Sequence, residues 1–348
     1  EPLMVWFGLL AIITGLAAEP SPVPVPPHVV AYVVEQGGEV RWSGQPRALH
    51  PRHPRDAPPD THDIRSAGKS ITALAVAAAI DDGQLTLGAS PWEVLGLPAP
   101  PELDDLTVDD LLHMASPLHC DDWQRRSPGN EERMYRRRTW LRFVQRLPRD
   151  PAFTRGPQGH GRFRYCTAGV FLLGQVVQAA VGEPLDAYVR RRLFEPLGVG
   201  EVQWERSRAG EVQAGGQLSI AADDLARIGR MVIDGGRWGD RAVLSEERVT
   251  ALLTPRHRLP RGPDTLWLYG GLWWATFVDV DDAPVPVWFM LGNGGNLVVL
   301  CRARDAVVVV QADAYNVAGA EQWGLDWVAE LLERLDEPRA RAPDPPPG

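Results

Sequence analysis

Lysine is almost absent from this 348-residue chain: Lys69 is the one lysine among its 36 Lys+Arg residues. Arginine fills the other basic positions and stays protonated at working pH, whereas lysine can lose its proton and act as a base. Ser66 lies three residues before Lys69. With 10 serines in 348 positions, chance would place a serine there about 3% of the time. We therefore interpret Lys69 as a residue that chemistry requires, the alternative being a surface helix lysine.

The chain also lacks an excess of basic charge. Its formal net charge is -9 at pH 7, and it contains no long run of lysine and arginine. Because nucleic-acid phosphates require a basic surface, we expect no nucleic-acid partner. The Arg-rich stretch 133–142 is interpreted as the solvated start of a helix. A small-molecule partner fits this composition better.

Cysteine is scarce, and the histidines lack zinc-ligand spacing. Cys120, Cys166 and Cys301 are too few for a disulfide scaffold or a Cys-rich zinc site. In an oxidising compartment Cys120 and Cys166 would pair; the alternative is that they are small buried thiols. The histidines considered are His53, His62, His113, His119 and His160. We expect them to be solvated or structural, and we expect no metal and no cofactor.

The N-terminal residues 3–18 are apolar and end in the small residues Gly15-Leu16-Ala17-Ala18, followed by a Pro-rich stretch over 19–27. This pattern is typical of an export signal followed by a linker. It is shorter than the roughly 20 residues that span a bilayer. We expect an exported protein, periplasmic or extracellular. An uncleaved N-terminal anchor is the alternative, and this segment is the only part expected to associate with a membrane.

Hydrophobic periodicity predicts strands near both ends of the chain and helices between them. Residues 29–34 and 39–42 flank a Gly-Gly turn and predict a β-hairpin. Further strands are predicted at 266–277, 285–291, 297–301 and 306–312. Helices are predicted at 66–82, 107–112, 140–147, 168–180, 185–193, 221–234 and 321–335.

This order predicts a sheet built from both ends of the chain and interrupted by a helical insertion. We assign 28–84 and 206–336 to an α/β domain and 85–205 to the helical insertion. Residues 1–27 form the signal-like segment and linker, and 337–348 a disordered tail.

Ser66 falls at or near the N-terminus of the first predicted helix. Residues at i and i+3 share a helix face, so the Lys69 amine lies within hydrogen-bond reach of the Ser66 hydroxyl. The positive end of the helix dipole disfavours a charged ammonium and favours a developing alkoxide. The pattern predicts a serine nucleophile activated by a neutral lysine.

An ordered series of blocks resembles the class C β-lactamase-related serine hydrolases, which are penicillin-recognising S-x-x-K enzymes. The first block comprises SAGKSITAL at 66–74, DDGQL at 81–85 and LLHMAS at 111–116. The second, FRYCTAG at 163–169 followed by LLG at 172–174, resembles the Tyr-x-Asn motif. The third comprises GGQLS at 215–219, DLAR at 224–227 and GGRW at 235–238. The likeness covers roughly residues 60 to 312.

The resemblance implies a fold, two further site residues and a mechanism. The implied fold is α/β, of the α+β kind: an antiparallel sheet flanked by helices, with an inserted all-helical domain and the site at the junction. Tyr165 would relay a proton between Ser66, Lys69 and the leaving group. The alternative is a core tyrosine. The backbone N–H of Asn293 would join that of Ser66 in an oxyanion hole.

The third family motif, Lys or His followed by Thr or Ser and Gly, falls within residues 290–296, where the sequence departs from the family. Met290 and Leu291 occupy the basic and hydroxyl positions, and Gly292 matches. The missing groups would hold a substrate carboxylate, so their loss counts against β-lactam hydrolysis and D-alanyl peptide cleavage. Thr167 occupies the Asn position of the second motif. The loss of the Asn side chain weakens recognition of a substrate amide, which also counts against these two activities.

The expected substrate pocket contains Thr167, Gly292 and Gly294, with the glycines allowing close substrate approach. Trp273 and Trp274 alternate faces on a predicted strand, so one should line an apolar cleft while the other packs in the core. We assign Trp273 to the pocket.

The expected function is that of a serine hydrolase acting through an acyl-enzyme on a small-molecule ester, amide or peptide-like substrate. One alternative is a β-lactamase or a D-alanyl peptidase of the penicillin-binding type. Another is a catalytically silent member that only binds a ligand.

Overall fold

The computed structural model describes residues 19–261 and 265–336. The predicted signal-like run 3–18 and the predicted tail 337–348 lie outside these residues. Among the described helices, none alone is long and apolar enough to cross a membrane. One pair, Thr167–Val181 with Leu185–Leu197, meets that criterion only when joined across a bend of 74°.

An eight-stranded antiparallel sheet forms the centre of the fold. The strands in chain order are β1 (Val29–Gln36), β2 (Glu39–Gly44), β3 (His62–Asp63), β4 (Gln203–Trp204), β5 (Leu218–Ile220), β6 (Arg237–Trp238), β7 (Arg241–Ala242), β8 (His257–Pro260), β9 (Leu266–Gly270), β10 (Trp273–Val280), β11 (Ala283–Gly292), β12 (Asn296–Cys301) and β13 (Ala306–Ala312). The order across the large sheet is β2-β1-β13-β12-β11-β10-β9-β8. Strands from both ends of the chain are therefore neighbours, which confirms the predicted sheet and its N-terminal hairpin.

Helices cover this sheet and fill the middle of the chain. They are α1 (Gly68–Asp81), α2 (Pro91–Val94), α3 (Val108–Leu112), α4 (Glu131–Tyr135), α5 (Trp140–Val144), α6 (Thr167–Val181), α7 (Leu185–Val189), α8 (Glu195–Leu197), α9 (Ala222–Ile233), α10 (Glu246–Leu253) and α11 (Ala320–Glu333). Helices α2 to α8 all lie within the predicted insertion 85–205. The mixed architecture confirms the predicted fold class, while the exact domain boundaries stay a prediction.

Helices α9 and α11 pack on opposite faces of the sheet. A Cβ atom added to Gly229 of α9 would meet Val298 at 3.4 Å, and one added to Gly324 of α11 would meet Leu297 at 2.7 Å. Because successive residues of a strand point to opposite faces, these neighbours on β12 identify two covered faces. That explains why the valine run Val307 to Val310 of β13 is buried throughout.

The single strand predicted over 266–277 is wrong, because the run forms two strands joined by a tight turn. Gly271 and Leu272 have φ values of 55° and 60°, which no extended strand contains. A Cβ atom on Gly271 would lie 2.4 Å from the backbone oxygen of Leu252, so the turn also packs closely against α10. The Ser70 hydroxyl donates to Leu272 O at 2.8 Å and connects this turn to α1.

Candidate active site

Ser66 lies in a single 3-10 turn, Arg65–Ala67, that leads directly into α1. Lys69, in the first turn of α1, donates from Nζ to Ser66 Oγ at 3.0 Å and to Gly215 O at 2.5 Å. The Lys69 side chain is 2% exposed. The structure thus brings the predicted serine and lysine together, at a distance that allows direct proton transfer.

Two glycines let other backbone segments approach the turn that carries Ser66. A Cβ atom on Gly216, whose φ is 140°, would lie 2.7 Å from Arg65 O. A Cβ atom on Gly292, at the end of β11, would lie 2.0 Å from Ile64 O. Real Cβ atoms do not approach that closely, so both positions require glycine. Strand β11 and the segment before β5 are therefore held against the turn that carries Ser66, here called the nucleophile turn after the role predicted for Ser66.

Arg65, the residue before Ser66, has a left-handed backbone with φ of 54°. A non-glycine residue in this region costs free energy and persists where the surroundings fix it, often at functional sites. Here Asp63 Oδ1 accepts from Arg65 N at 2.9 Å, and the guanidinium lies 4.4 Å from the Tyr315 ring centroid. Burial raises the pKa of Asp63 above its usual range, although the Arg65 charge opposes that shift.

Tyr165 places its ring beside the lysine. Lys69 Nζ lies 4.9 Å from the Tyr165 ring centroid. The same ring stacks on Trp123, with centroids 5.7 Å apart and planes at 4°, and on Trp274, with centroids 6.1 Å apart. Tyr165 therefore contacts the serine–lysine pair from within an aromatic cluster.

A disulfide and a carboxylate connect the loop over 119–130 to the Tyr165 segment. Cys120 and Cys166 form a disulfide with Cα atoms 5.3 Å apart. Asp122 accepts from Thr167 N at 2.6 Å and from Glu131 N at 2.8 Å. Burial, and then the Glu131 carboxylate, raises the pKa of Asp122 to about 6. Of the two possibilities for Cys120 and Cys166, the structure contains the disulfide rather than two separate buried thiols.

A cleft of about 180 Å³ opens beside Ser66. Its lining residues are Arg65, Ser66, Glu131, Glu132, Tyr135, Gly215, Gly216, Gln217, Asn293, Tyr315 and Asn316. Most of these residues are not predicted from the sequence, because the lining comes from five separate segments. One usable signal was the spacing of Glu131 and Tyr135, i and i+4 on α4, whose side chains hydrogen-bond at 2.9 Å.

Asn293 lines the cleft together with Ser66, and the role of its backbone N–H in an oxyanion hole stays a prediction. Its side chain donates to Asn316 Oδ1 at 2.8 Å and accepts from Asn316 N at 2.9 Å. Asn296 Nδ2 donates to Asn293 O at 2.9 Å. These three bonds fix the peptide at the end of β11. Met290 is fully buried on that strand, so it adds no polar group to the cleft.

None of the four residues predicted for the substrate pocket lines the cleft beside Ser66. Trp273 is 1% exposed and Trp274 4% exposed, so both pack in the core, and of the two it is Trp274 that stacks on Tyr165. Thr167 is fully buried, and Gly215 packs against its methyl group. Gly292 and Gly294 are also buried and act through backbone approach. The alternation of side chains along a strand predicts which residues share a face of the sheet, but it does not predict which face borders the cleft.

The described residues contain no group of three or more His, Cys, Asp or Glu residues arranged to hold a metal ion. Burial lowers the pKa of His62 to about 4 and that of His113 to about 3, so both are neutral at pH 7. His62 stacks on Tyr315 with planes at 7°, and its Nε2 lies 3.2 Å from the Tyr315 hydroxyl. It therefore supports a cleft-lining side chain.

This chain is similar to several known proteins, among them two named for hydrolysis of a 6-aminohexanoate dimer and one class C β-lactamase. A 6-aminohexanoate-dimer hydrolase of Paenarthrobacter ureafaciens is 30% identical over 209 residues, 57% of this chain and 52% of that protein. The match thus spans about half the length of this curated relative. A Bacillus anthracis structure, assigned provisionally as a 6-aminohexanoate-dimer hydrolase, has a TM-score of 0.69 at 16% identity and covers 89% of this chain and 81% of its own. A class C β-lactamase of Rhodobacter sphaeroides has a TM-score of 0.62 at 16% identity, covering 87% and 95%.

The model of the Beta-lactamase family matches residues 27–330. That match covers most of the chain, including Ser66, Lys69, Tyr165 and Asn293. The chain therefore belongs to the Beta-lactamase family, a family of hydrolases, which confirms the resemblance seen in the motifs.

Proposed function

We propose that this member of the Beta-lactamase family is a serine hydrolase that cleaves a carboxylic ester or amide through an acyl-enzyme on Ser66. One observation carries the proposal: the chain's one lysine is buried, and its Nζ lies 3.0 Å from Ser66 Oγ. A neutral amine at this distance is a general base for the serine hydroxyl.

In the acylation step, Ser66 Oγ attacks the substrate carbonyl carbon while its proton passes to Lys69 Nζ. The negative charge on the carbonyl oxygen is held by the backbone N–H groups of Ser66 and Asn293. Collapse of the tetrahedral intermediate breaks the bond to the leaving alcohol or amine, which takes up the proton. Tyr165 relays that proton, a role supported by its contact with Lys69. Water then hydrolyses the ester to Ser66.

The absence of a cation and a hydroxyl at Met290 and Leu291 supports a substrate without a carboxylate at the reacting end. Met290 is fully buried on β11. The Paenarthrobacter ureafaciens relative acts, by its name, on a 6-aminohexanoate dimer, which supports testing amides beside esters. The Cys120–Cys166 disulfide supports export to an oxidising compartment, periplasmic or extracellular.

The test is a hydrolysis screen with short-chain aryl esters, the matching aryl amides and a chromogenic cephalosporin. The screen uses the wild type, Ser66→Ala and Lys69→Arg. We expect ester turnover in the wild type and a loss of at least about 1,000-fold in both variants, because arginine keeps its charge and cannot accept the proton. Equal activity in Lys69→Arg would contradict neutral-amine chemistry.

Two other outcomes would replace the proposal. A stable adduct with a labelled β-lactam, without turnover, would identify a penicillin-binding protein, and cephalosporin turnover would identify a β-lactamase. No reaction with a serine-directed phosphonate would indicate a catalytically silent ligand-binding member. Circular dichroism of each variant controls for misfolding.

A further inference from the structure

Eight arginines cluster on the surface formed by residues 125–146, which run from the loop over 119–130 to just beyond α5. They are Arg125, Arg126, Arg133, Arg136, Arg137, Arg138, Arg142 and Arg146, and we call them the arginine surface. All eight are exposed. Within residues 19–261 and 265–336, none of the eight side chains forms an ion pair or a hydrogen bond.

Arginines elsewhere in the fold are mostly paired with carboxylates. Arg155, for example, donates to both oxygens of Asp110 at 2.8 and 2.9 Å, and Arg230 contacts Glu35 at 2.8 Å. Residues 125–146 contain only Glu131 and Glu132 as acids, a local net charge of +6 in a chain of -9. Like charges at close range repel, so such a cluster costs stability unless an anion offsets it.

The arginine surface is concave and continuous with the cleft. Four of its arginines line a depression of about 930 Å³, and five line a second one of about 520 Å³. Arg133 and Arg137 belong to both depressions. Glu131, Glu132 and Asn316 line both the larger depression and the Ser66 cleft. A ligand that extends out of the cleft therefore reaches the arginines without leaving the surface.

We propose that the arginine surface binds anionic groups, phosphate or carboxylate, in the distal part of the substrate whose carbonyl reacts at Ser66. The inference rests on the hydrolase proposed above. Guanidinium groups bind phosphate and carboxylate through paired hydrogen bonds. The cleft itself offers no comparable unpaired cation, since its Arg65 guanidinium contacts Asp63 at 3.4 Å and lies over the Tyr315 ring. The protein would then recognise an anionic group at the far end of the substrate rather than beside the reacting carbonyl.

The kinetic test compares two series of p-nitrophenyl alkanoates of increasing chain length, one ending in a methyl group and one in a phosphate. We expect the wild type to show a KM about 10-fold lower for a phosphorylated ester of suitable length. The double variant Arg133→Gln/Arg137→Gln should bring the ratio of the two KM values close to one. Added salt should likewise bring the two KM values of the wild type closer together.

The matched control is the double variant Arg241→Gln/Arg334→Gln. These two arginines are exposed, and neither lines a depression or the cleft. The control removes the same total charge and should keep the wild-type KM ratio. If both double variants change that ratio equally, a general charge effect explains the result and the proposal is overturned.

Titration calorimetry with tripolyphosphate on the Ser66→Ala protein tests the surface without any turnover. We expect binding that the Arg133→Gln/Arg137→Gln change abolishes and the control change preserves. If the wild type hydrolyses neither ester series, the hydrolase proposal fails, and this titration still decides whether the surface binds anions. Equal KM values for both series in the wild type would refute the inference. Arginine-dependent binding to phosphatidylglycerol vesicles, with no effect on the KM ratio, would identify a membrane-docking surface instead and also refute it.

Discussion

The floor and the rim of the cleft are built in different ways. The floor consists of Ser66 and Gly216, which line the cleft, together with the buried Lys69 and Gly292, which hold the Ser66 turn through helix spacing and close backbone approach. The rim consists of side chains from α4 and from residues 315–316, and it depends on contacts between distant segments. In the proposed mechanism, the floor holds the reacting groups in place and the rim selects which substrates reach them. Changes in the floor should therefore lower kcat, and changes in the rim should raise KM.

The largest effect is expected from Gly292→Ala, which changes only the floor. The new methyl carbon would lie 2.0 Å from Ile64 O and push β11 away from the nucleophile turn. A displacement of about 1 Å between Ser66 and the Asn293 N–H can cost about 100-fold in rate. We expect kcat for an ester to fall at least about 100-fold, with a loss of about 1–3 kcal/mol in the free energy of unfolding.

Gly88→Ala is the matched control, because a Cβ atom at Gly88 would meet nothing within 4 Å. It should leave kcat and stability close to the wild-type values. Steady-state kinetics and urea unfolding measure both quantities. A Gly292→Ala enzyme with normal kcat would show that β11 need not touch the nucleophile turn.

The difference between floor and rim also explains what the sequence could predict. Ser66 and Lys69 are three residues apart, so helix geometry alone brings them together. The predicted helix begins at Ser66, whereas in the structure Ser66 lies in a 3-10 turn and α1 begins at Gly68. The sheet was predictable because valine-rich runs such as 306–312 mark buried strands.

The rim could not be predicted, because its contacts join residues far apart in sequence. Asn293 and Asn316 hydrogen-bond across 23 positions, and no local pattern encodes that pair. Strand alternation showed that Trp273 and Trp274 face opposite sides, but only the tertiary fold determines which side meets Tyr165. The motifs predict the pairing of Ser66 with Lys69 that the structure contains, but they do not predict which residues line the cleft.

Asp122 connects the rim helix α4 to the segment that carries Tyr165, and its titration should appear in the pH dependence of stability. Burial raises its pKa from 3.8 to about 6. Between these values the folded chain holds a proton that the unfolded chain releases, so the free energy of unfolding falls as pH rises from about 4 to about 6. Asp122→Asn should remove this contribution. The difference between wild type and variant should change by about 1–3 kcal/mol across that window.

Urea unfolding at several pH values across the window measures this difference. Asp105→Asn provides a comparison of opposite sign, because the hydrogen bond from Arg149 lowers the pKa of Asp105. Its stabilising contribution is present above the unfolded-state pKa and is lost as pH falls through the folded one. Parallel stability curves for wild type and Asp122→Asn would refute the proposed titration of Asp122.

The smallest effect is expected from Tyr135→Phe, which changes only the rim. The Tyr135 hydroxyl donates to Glu131 at 2.9 Å, and both side chains line the cleft. Loss of one hydrogen bond of about 0.5–1.5 kcal/mol should raise KM for an ester about 2- to 10-fold and leave kcat nearly unchanged. Tyr188→Phe is the control, since its hydroxyl donates to Asp82 at 2.8 Å, and neither residue lines the cleft. A fall in kcat without a change in KM would place Tyr135 among the groups that act on the reacting atoms, and the distinction between floor and rim would then fail at this residue.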